Sequence, residues 1–175
     1  MEKKDLESLS LETESIEIEQ PIKKLSVLVF RLGKIWLALA TIYCKEITNR
    51  PSIHLIPHRS GKVLIGIINL NGKLELHVAL HELLQIETSI EFNTGRLAYQ
   101  RNRMVAIVKE GELWTFPVDE VDGVYEWDSL KIENVPIDFS KSVIDYVKGT
   151  MQMENKSVGL LDEELLFASL KRSIR

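Results

Sequence analysis

From Leu25 onward, short apolar, β-branched runs alternate with Gly- or Asn-containing turns, the pattern of β-hairpins. The spacing predicts four of them. The first joins Leu25–Phe30 to Ile35–Leu39 around Gly33. The second joins Val63–Leu70 to Leu74–Leu80 around Asn71-Gly72, the dipeptide best suited to the positive φ angles of a type I′ turn. The third joins Met104–Val108 to Leu113–Val118 around Glu110-Gly111, and the fourth joins Tyr146–Met153 to Ser157–Leu161 around Glu154-Asn155-Lys156. Helical patterns are sparse: Thr41–Ile47, His81–Ile86, and a C-terminal segment from Asp162 to Arg172. In the last, Asp162 can cap the N-terminus, Glu163 and Glu164 suit the positive end of the dipole, and Leu165, Leu166, Ser169 and Leu170 form one face.

The hairpins repeat. Gly33 and Trp36 lie 78 residues before Gly111 and Trp114, and Gly66 and Lys73 lie 83 residues before Gly149 and Lys156. The chain therefore reads as A-B-A′-B′, an all-β fold of two small barrels that share an interface, since units of this size bury little core alone. The expected organisation is a flexible acidic tail over residues 1–22 and one domain over 23–173. The domain divides into units at roughly 23–86 and 103–173, joined by a polar loop at 87–102. Leu11, Ile16 and Ile18 leave open a short strand or helix of the tail against the body.

Charge narrows the partners. Residues 1–20 hold seven acids against Lys3 and Lys4, so of a formal net charge of −4 the other 155 residues carry about +1. A nearly neutral body has no broad footprint for a phosphate backbone, which argues against nucleic acid and for protein partners. The single cysteine, Cys44, closes no intrachain disulfide, no secretory pattern opens the chain, and no apolar run is long enough to insert in a membrane. A cytoplasmic protein is expected.

Candidate chemistry is thin. His54/His58 and His77/His81 are spaced i,i+4, but His77 and His81 follow a period-two run that would hold them about 13 Å apart. They read as surface or edge histidines rather than a metal site. Gly61-Lys62 lacks the first Gly and the Ser or Thr of a phosphate loop. Cys44 sits among apolar neighbours with nothing to lower its pKa. Asp119-Glu120 and Asp162-Glu163 each follow an apolar strand and read as turn or cap residues. Trp36 and Trp114, equivalent under the repeat, are expected to pack in the core or between barrels. No cofactor, metal or catalytic residue is expected.

Several ordered motifs resemble the CheW-like family of chemotaxis coupling proteins over roughly Leu25–Leu170. They are Leu28-Val-Phe-Arg-Leu-Gly33; Lys45-Glu-Ile47 with Ile53-His-Leu-Ile-Pro57; Gly66-Ile-Ile-Asn-Leu-Asn-Gly72; Phe116-Pro-Val-Asp-Glu-Val-Asp-Gly-Val124; and Tyr146-Val-Lys-Gly149 with Leu160-Leu-Asp162. The resemblance implies two SH3-like five-stranded β-barrels and no catalysis. It implies a non-catalytic adaptor coupling a chemoreceptor, through its cytoplasmic tip, to the regulatory domain of a CheA-type histidine kinase at membrane-associated receptor arrays. Carried over by position, Cys44, Glu46, Ile47, Gly66, Asn69 and Asn71 are the partner-binding candidates. Asn71, Ala79 and His81 depart from the family's usual Arg, Asp and Arg. These departures and Ile56-Pro-His-Arg59 look like the accessory CheW-like proteins of Wsp-type systems. Two rivals remain: a barrel binding single-stranded nucleic acid through Arg96, Tyr99, Arg101 and Arg103, and a small-ligand or enzymatic barrel using Asp119, Glu120 and a histidine.

Overall fold

The computed structural model describes residues 21–49, 51–56, 61–88, 103–135 and 138–175. All four expected hairpins form: β1 (Lys24–Leu32) with β2 (Ile35–Ala40), β5 (Leu64–Leu70) with β6 (Lys73–Val78), β7 (Arg103–Lys109) with β8 (Glu112–Val118), and β10 (Val147–Met153) with β11 (Lys156–Leu161). The second and third turn through paired positive φ angles, Asn71 +53° with Gly72 +84° and Glu110 +52° with Gly111 +80°. Three further strands escape the hairpin pattern: β3 (Cys44–Asn49), β4 (Ile53–Leu55) and β9 (Glu120–Asp128). β9 carries an acid at Glu120, Asp122, Glu126 and Asp128 and buries only Trp127, so its apolar signal is weak. The expected helix at Thr41–Ile47 is a single 3-10 turn, Thr41–Tyr43, followed by β3. Pairing with β7 offers Cys44–Asn49 a ladder, and β-branched Ile47 and Thr48 favour it.

Short helices complete the chain: α1 (Leu80–Leu84), α2 (Lys141–Ile144) and α3 (Glu163–Ser173). The Asp162 carboxylate accepts from the Leu165 N–H at 3.1 Å, capping α3 as expected. The proposed tail and joining loop lie outside the described residues at 1–20 and 89–102.

The strands make two sheets, ordered β10-β11-β2-β1-β9 and β3-β7-β8-β6-β5-β4. Read backwards, the second repeats the first, β5-β6-β8-β7-β3, with β4 added as a sixth strand beyond the five expected. The fold is two SH3-like subdomains, but neither is a half of the chain. One, the central barrel, runs from Cys44 to Val118; the other, the terminal barrel, takes β1 and β2 from one end and β9, β10 and β11 from the other. The division into units at 23–86 and 103–173 therefore does not describe the sheets, because each hairpin pairs in parallel with one from the opposite half: β11 with β2, and β6 with β8.

The ladders also correct the repeat. Leu32 pairs Ile35 across the first turn as Lys109 pairs Glu112 across the third, an offset of 77 residues rather than 78. Leu37, not Trp36, matches Trp114. In a strand a one-residue slip exchanges the faces, and the two tryptophans differ accordingly. Trp114 is buried between the barrels, whereas Trp36 is half-buried against the terminal barrel's own core, with the Lys156 ammonium 3.8 Å from its ring centroid.

Strands buried on both faces account for the continuous apolar runs. In β1, Val27 and Val29 enter the terminal barrel while Leu28, Phe30 and Leu32 enter the core between barrels; in β7, Met104 and Ala106 enter the central barrel while Val105 and Ile107 face the same shared core. That shared core is the largest of the three. It receives Leu166, Phe167 and Leu170 of α3, which also forms ion pairs with Lys109 and Glu112 of the central barrel and Lys148 of the terminal one. Exposed pairs are worth little; the buried face holds the helix.

Where β8 leaves one sheet for β9 of the other, Asp119 joins them. Its Oδ2 accepts from the Gly33 N–H at 2.6 Å and from the Thr88 hydroxyl at 3.3 Å.

Candidate partner-binding site

The six candidate residues lie on the central barrel, and the fold separates them into two groups. Gly66 is buried on β5, where a Cβ would meet the His54 carbonyl oxygen at 2.4 Å; glycine there lets the neighbouring strand β4 pair closely against β5. Cys44 is half-buried against the shared core, its thiol donating weakly to the Ala40 carbonyl oxygen at 3.7 Å. Burial pushes that thiol up to about 11. These two positions serve packing.

The other four reach the surface. Glu46 and Ile47 stand on β3, an edge of the sheet, while Asn69 and Asn71 stand at the tip of the β5–β6 hairpin, four ladder positions away. Curling of the sheet brings one residue of each pair together: Asn71 Nδ2 donates to Glu46 Oε2 at 3.1 Å, while Ile47, next to Glu46 in the strand, points to the other face. Asn69 shapes the tip, its Oδ1 accepting from the Gly72 N–H at 2.8 Å. Ile47 is 38% exposed. Leu74, opposite Asn69 in the β6 ladder, is 71% exposed and extends the face. Leu74 follows the Asn71-Gly72 turn by two residues, at the other end of the strand from the buried Val78. The face can offer a partner an apolar contact, a carboxylate and two amides.

Elsewhere the candidate chemistry resolves into structure. His77 and His81 are not surface residues: they are 0% and 5% exposed. At the C-terminal end of β6, where His77 and Val78 are both buried, alternation has no solvent side. The Thr115 hydroxyl donates to the Leu76 carbonyl at 2.9 Å, so its oxygen accepts from His77 Nδ1–H, also at 2.9 Å. His81 lies within α1, and burial holds its imidazole below the ordinary range, opposed by the carboxylates of Glu82 and Asp119. Glu120 pairs with Arg31 at 3.1 Å, Asp119 accepts from Gly33 and Thr88, Asp162 caps α3 and Glu163 pairs with Lys148, so each member of the two acidic pairs is engaged in a structural contact. Among the described residues no three His, Cys, Asp or Glu side chains converge on a metal position, and no helix is long and apolar enough to cross a membrane. His58 and the basic-aromatic set Arg96, Tyr99 and Arg101 lie outside the described residues.

Two interleaved sheets with this repeat, a shared core and a capped C-terminal helix make a specific architecture. The family model for the CheW-like domain matches residues 26–171. The chain belongs to the CheW-like family. The family is one of scaffolds in chemosensory signalling rather than of enzymes. Among solved structures the chain is similar to the scaffolding protein TtCheW from Thermoanaerobacter tengcongensis, with a TM-score of 0.67 and 22% identity over 86% of this chain and 91% of that one. At that identity the likeness speaks for the fold. No curated protein sequence matches. Of the three CheW-like positions at which this chain departs, Ala79 and His81 are buried, at 1% and 5% exposure, and only Asn71 faces solvent. An arginine at 71 would stand beside Glu46; an amide keeps that contact without the charge.

Proposed function

We propose that the protein is a non-catalytic adaptor that couples a chemoreceptor-type protein, through its cytoplasmic tip, to the regulatory domain of a CheA-type histidine kinase. The observation that carries the reading is the match of the family over residues 26–171. The surface of Glu46, Ile47, Asn69 and Asn71, widened by Leu74, supports it: small, partly apolar, with polar groups held by their own hydrogen bonds. Gly66 and Cys44 are packed against the fold, at β4 and the shared core, and support that surface indirectly.

Calorimetric titration of the protein against a CheA-type regulatory domain and a receptor tip fragment tests the proposal. Glu46 is half-exposed and its bond to Asn71 lies at the surface, so Glu46→Arg leaves stability within about 0.5 kcal/mol. Saturable binding to the kinase domain is expected, weakened about tenfold or more by the substitution, about 1.4 kcal/mol. Absence of binding to both fragments at high micromolar concentration would overturn the adaptor reading.

A further inference from the structure

β10 is an edge strand of the terminal barrel, and its outer side is only partly occupied. Thr150 exchanges both backbone hydrogen bonds with Glu133, at 2.8 and 2.9 Å. Residues two apart in an antiparallel ladder present their N–H and C=O to the same side, so Gln152 is the next to face outward. Its main chain has no backbone partner there among the described residues. The chain that would continue opposite it turns away through Ser129–Lys131.

Beside this vacated position lies a cavity of about 310 Å³, floored by Ile35, Phe139 and Thr150 and rimmed by Glu133, Asp138 and Gln152. Met151 and Met153 point the other way, into the barrel's own core, so the strand is anchored without help from a ligand. Among the acids around this barrel, Glu120, Asp122, Glu126 and Glu163 each hold a cation, and Asp128 and Asp162 accept backbone N–H groups as caps. Glu133 and Asp138 hold none among the described residues. An apolar floor beneath two uncompensated carboxylates matches a long cationic side chain, whose methylene stem takes the floor while its head takes the rim.

The geometry points to this cavity as a docking pocket for a lysine or arginine side chain carried on an extended segment of a partner protein, with the Gln152 main chain bonding the segment's backbone. It lies on the barrel opposite the Glu46 face and does not depend on the adaptor reading. Cation and backbone are recognised together, which distinguishes this from attraction to a loose acidic patch.

The test is a titration of the ¹⁵N-labelled full chain with the capped pentapeptide Thr-Val-Lys-Val-Thr and with versions carrying norleucine or glutamate in place of lysine, followed by amide shifts. The lysine peptide is expected to saturate with shifts at Glu133, Asp138 and Gln152, and at least tenfold more tightly than either replacement. The double variant Glu133→Gln/Asp138→Asn, exposed and unpaired, keeps its melting temperature and loses the preference. Gln152→Pro, tolerable on an edge strand, weakens binding with the carboxylates intact. Equal binding of all three peptides, shifts centred elsewhere, an unaffected double variant, or no saturation at millimolar peptide would each overturn the proposal.

Discussion

Gly33 is the residue at which the two barrels lock, and Gly33→Ala measures that lock. Its φ is +57°, and a Cβ there would stand 2.0 Å from the Glu87 carbonyl oxygen, a backbone atom that cannot swing aside. Two costs add. Placing a residue with a Cβ in the left-handed region costs about 1–2 kcal/mol. Displacing the turn also sacrifices the 2.6 Å bond from the Gly33 N–H to Asp119, about 1.5–3 kcal/mol for a bond to a charged acceptor. The sum, about 2.5–5 kcal/mol, lowers the melting temperature by about 5–20 °C at roughly 2–4 °C per kcal/mol for a chain of this size. Gly72→Ala is the control: its φ is +84° but nothing lies within 4 Å, so only strain is added and the loss is about 2–8 °C. Asparagine separates the two causes, because it tolerates positive φ. Gly72→Asn should be nearly neutral, while Gly33→Asn should remain close to Gly33→Ala. Thermal melts followed by circular dichroism, with urea midpoints to check an unchanged slope, read all four variants. If Gly33→Asn recovers wild-type stability, or Gly33→Ala costs no more than Gly72→Ala, the close approach is not what fixes this position.

The Cys44 thiol, pushed up to about 11 by burial, is about 0.1% thiolate at pH 8, so Ellman's reagent should label the folded protein far more slowly than the urea-unfolded chain; equal rates would show the thiol to be accessible and unperturbed. His81 binds its proton more weakly folded than unfolded, because burial disfavours the charged form. Its contribution is full above the ordinary value of 6.5 and is lost as pH falls below that value through the folded one. Stability should therefore decline on acidification from about pH 6.5, and His81→Gln should flatten that part of the curve; an unchanged slope in urea midpoints between pH 7 and 5 would refute the assignment.

The sequence by itself determined the hairpins and their turns, because each depends on neighbours a few residues apart: Asn71-Gly72 and Glu110-Gly111 supply positive φ where two strands reverse, and alternation fixes which side chains share a face; it showed the repeat, but with the first pair of hairpins one residue out of register. It also determined the α3 cap at Asp162, a local hydrogen bond. The motif order from Leu28 to Asp162 carried the family. Tertiary structure decided the rest. A repeat shows that two segments are alike but not which partner each chooses, and the parallel pairings β2–β11 and β6–β8 exchange hairpins between the halves. Strand β9 and the burial of His77 were illegible for the same reason: whether a face meets solvent or a second barrel is not written in the strand that bears it. Of the six candidate partner-binding positions, Glu46 and Asn71 lie 25 residues apart in sequence and meet only because the sheet curls, whereas Gly66 owes its identity to the carbonyl of His54 on the neighbouring strand. Local pattern set the elements; burial between two barrels, a property of neither alone, set which residues remain free to bind.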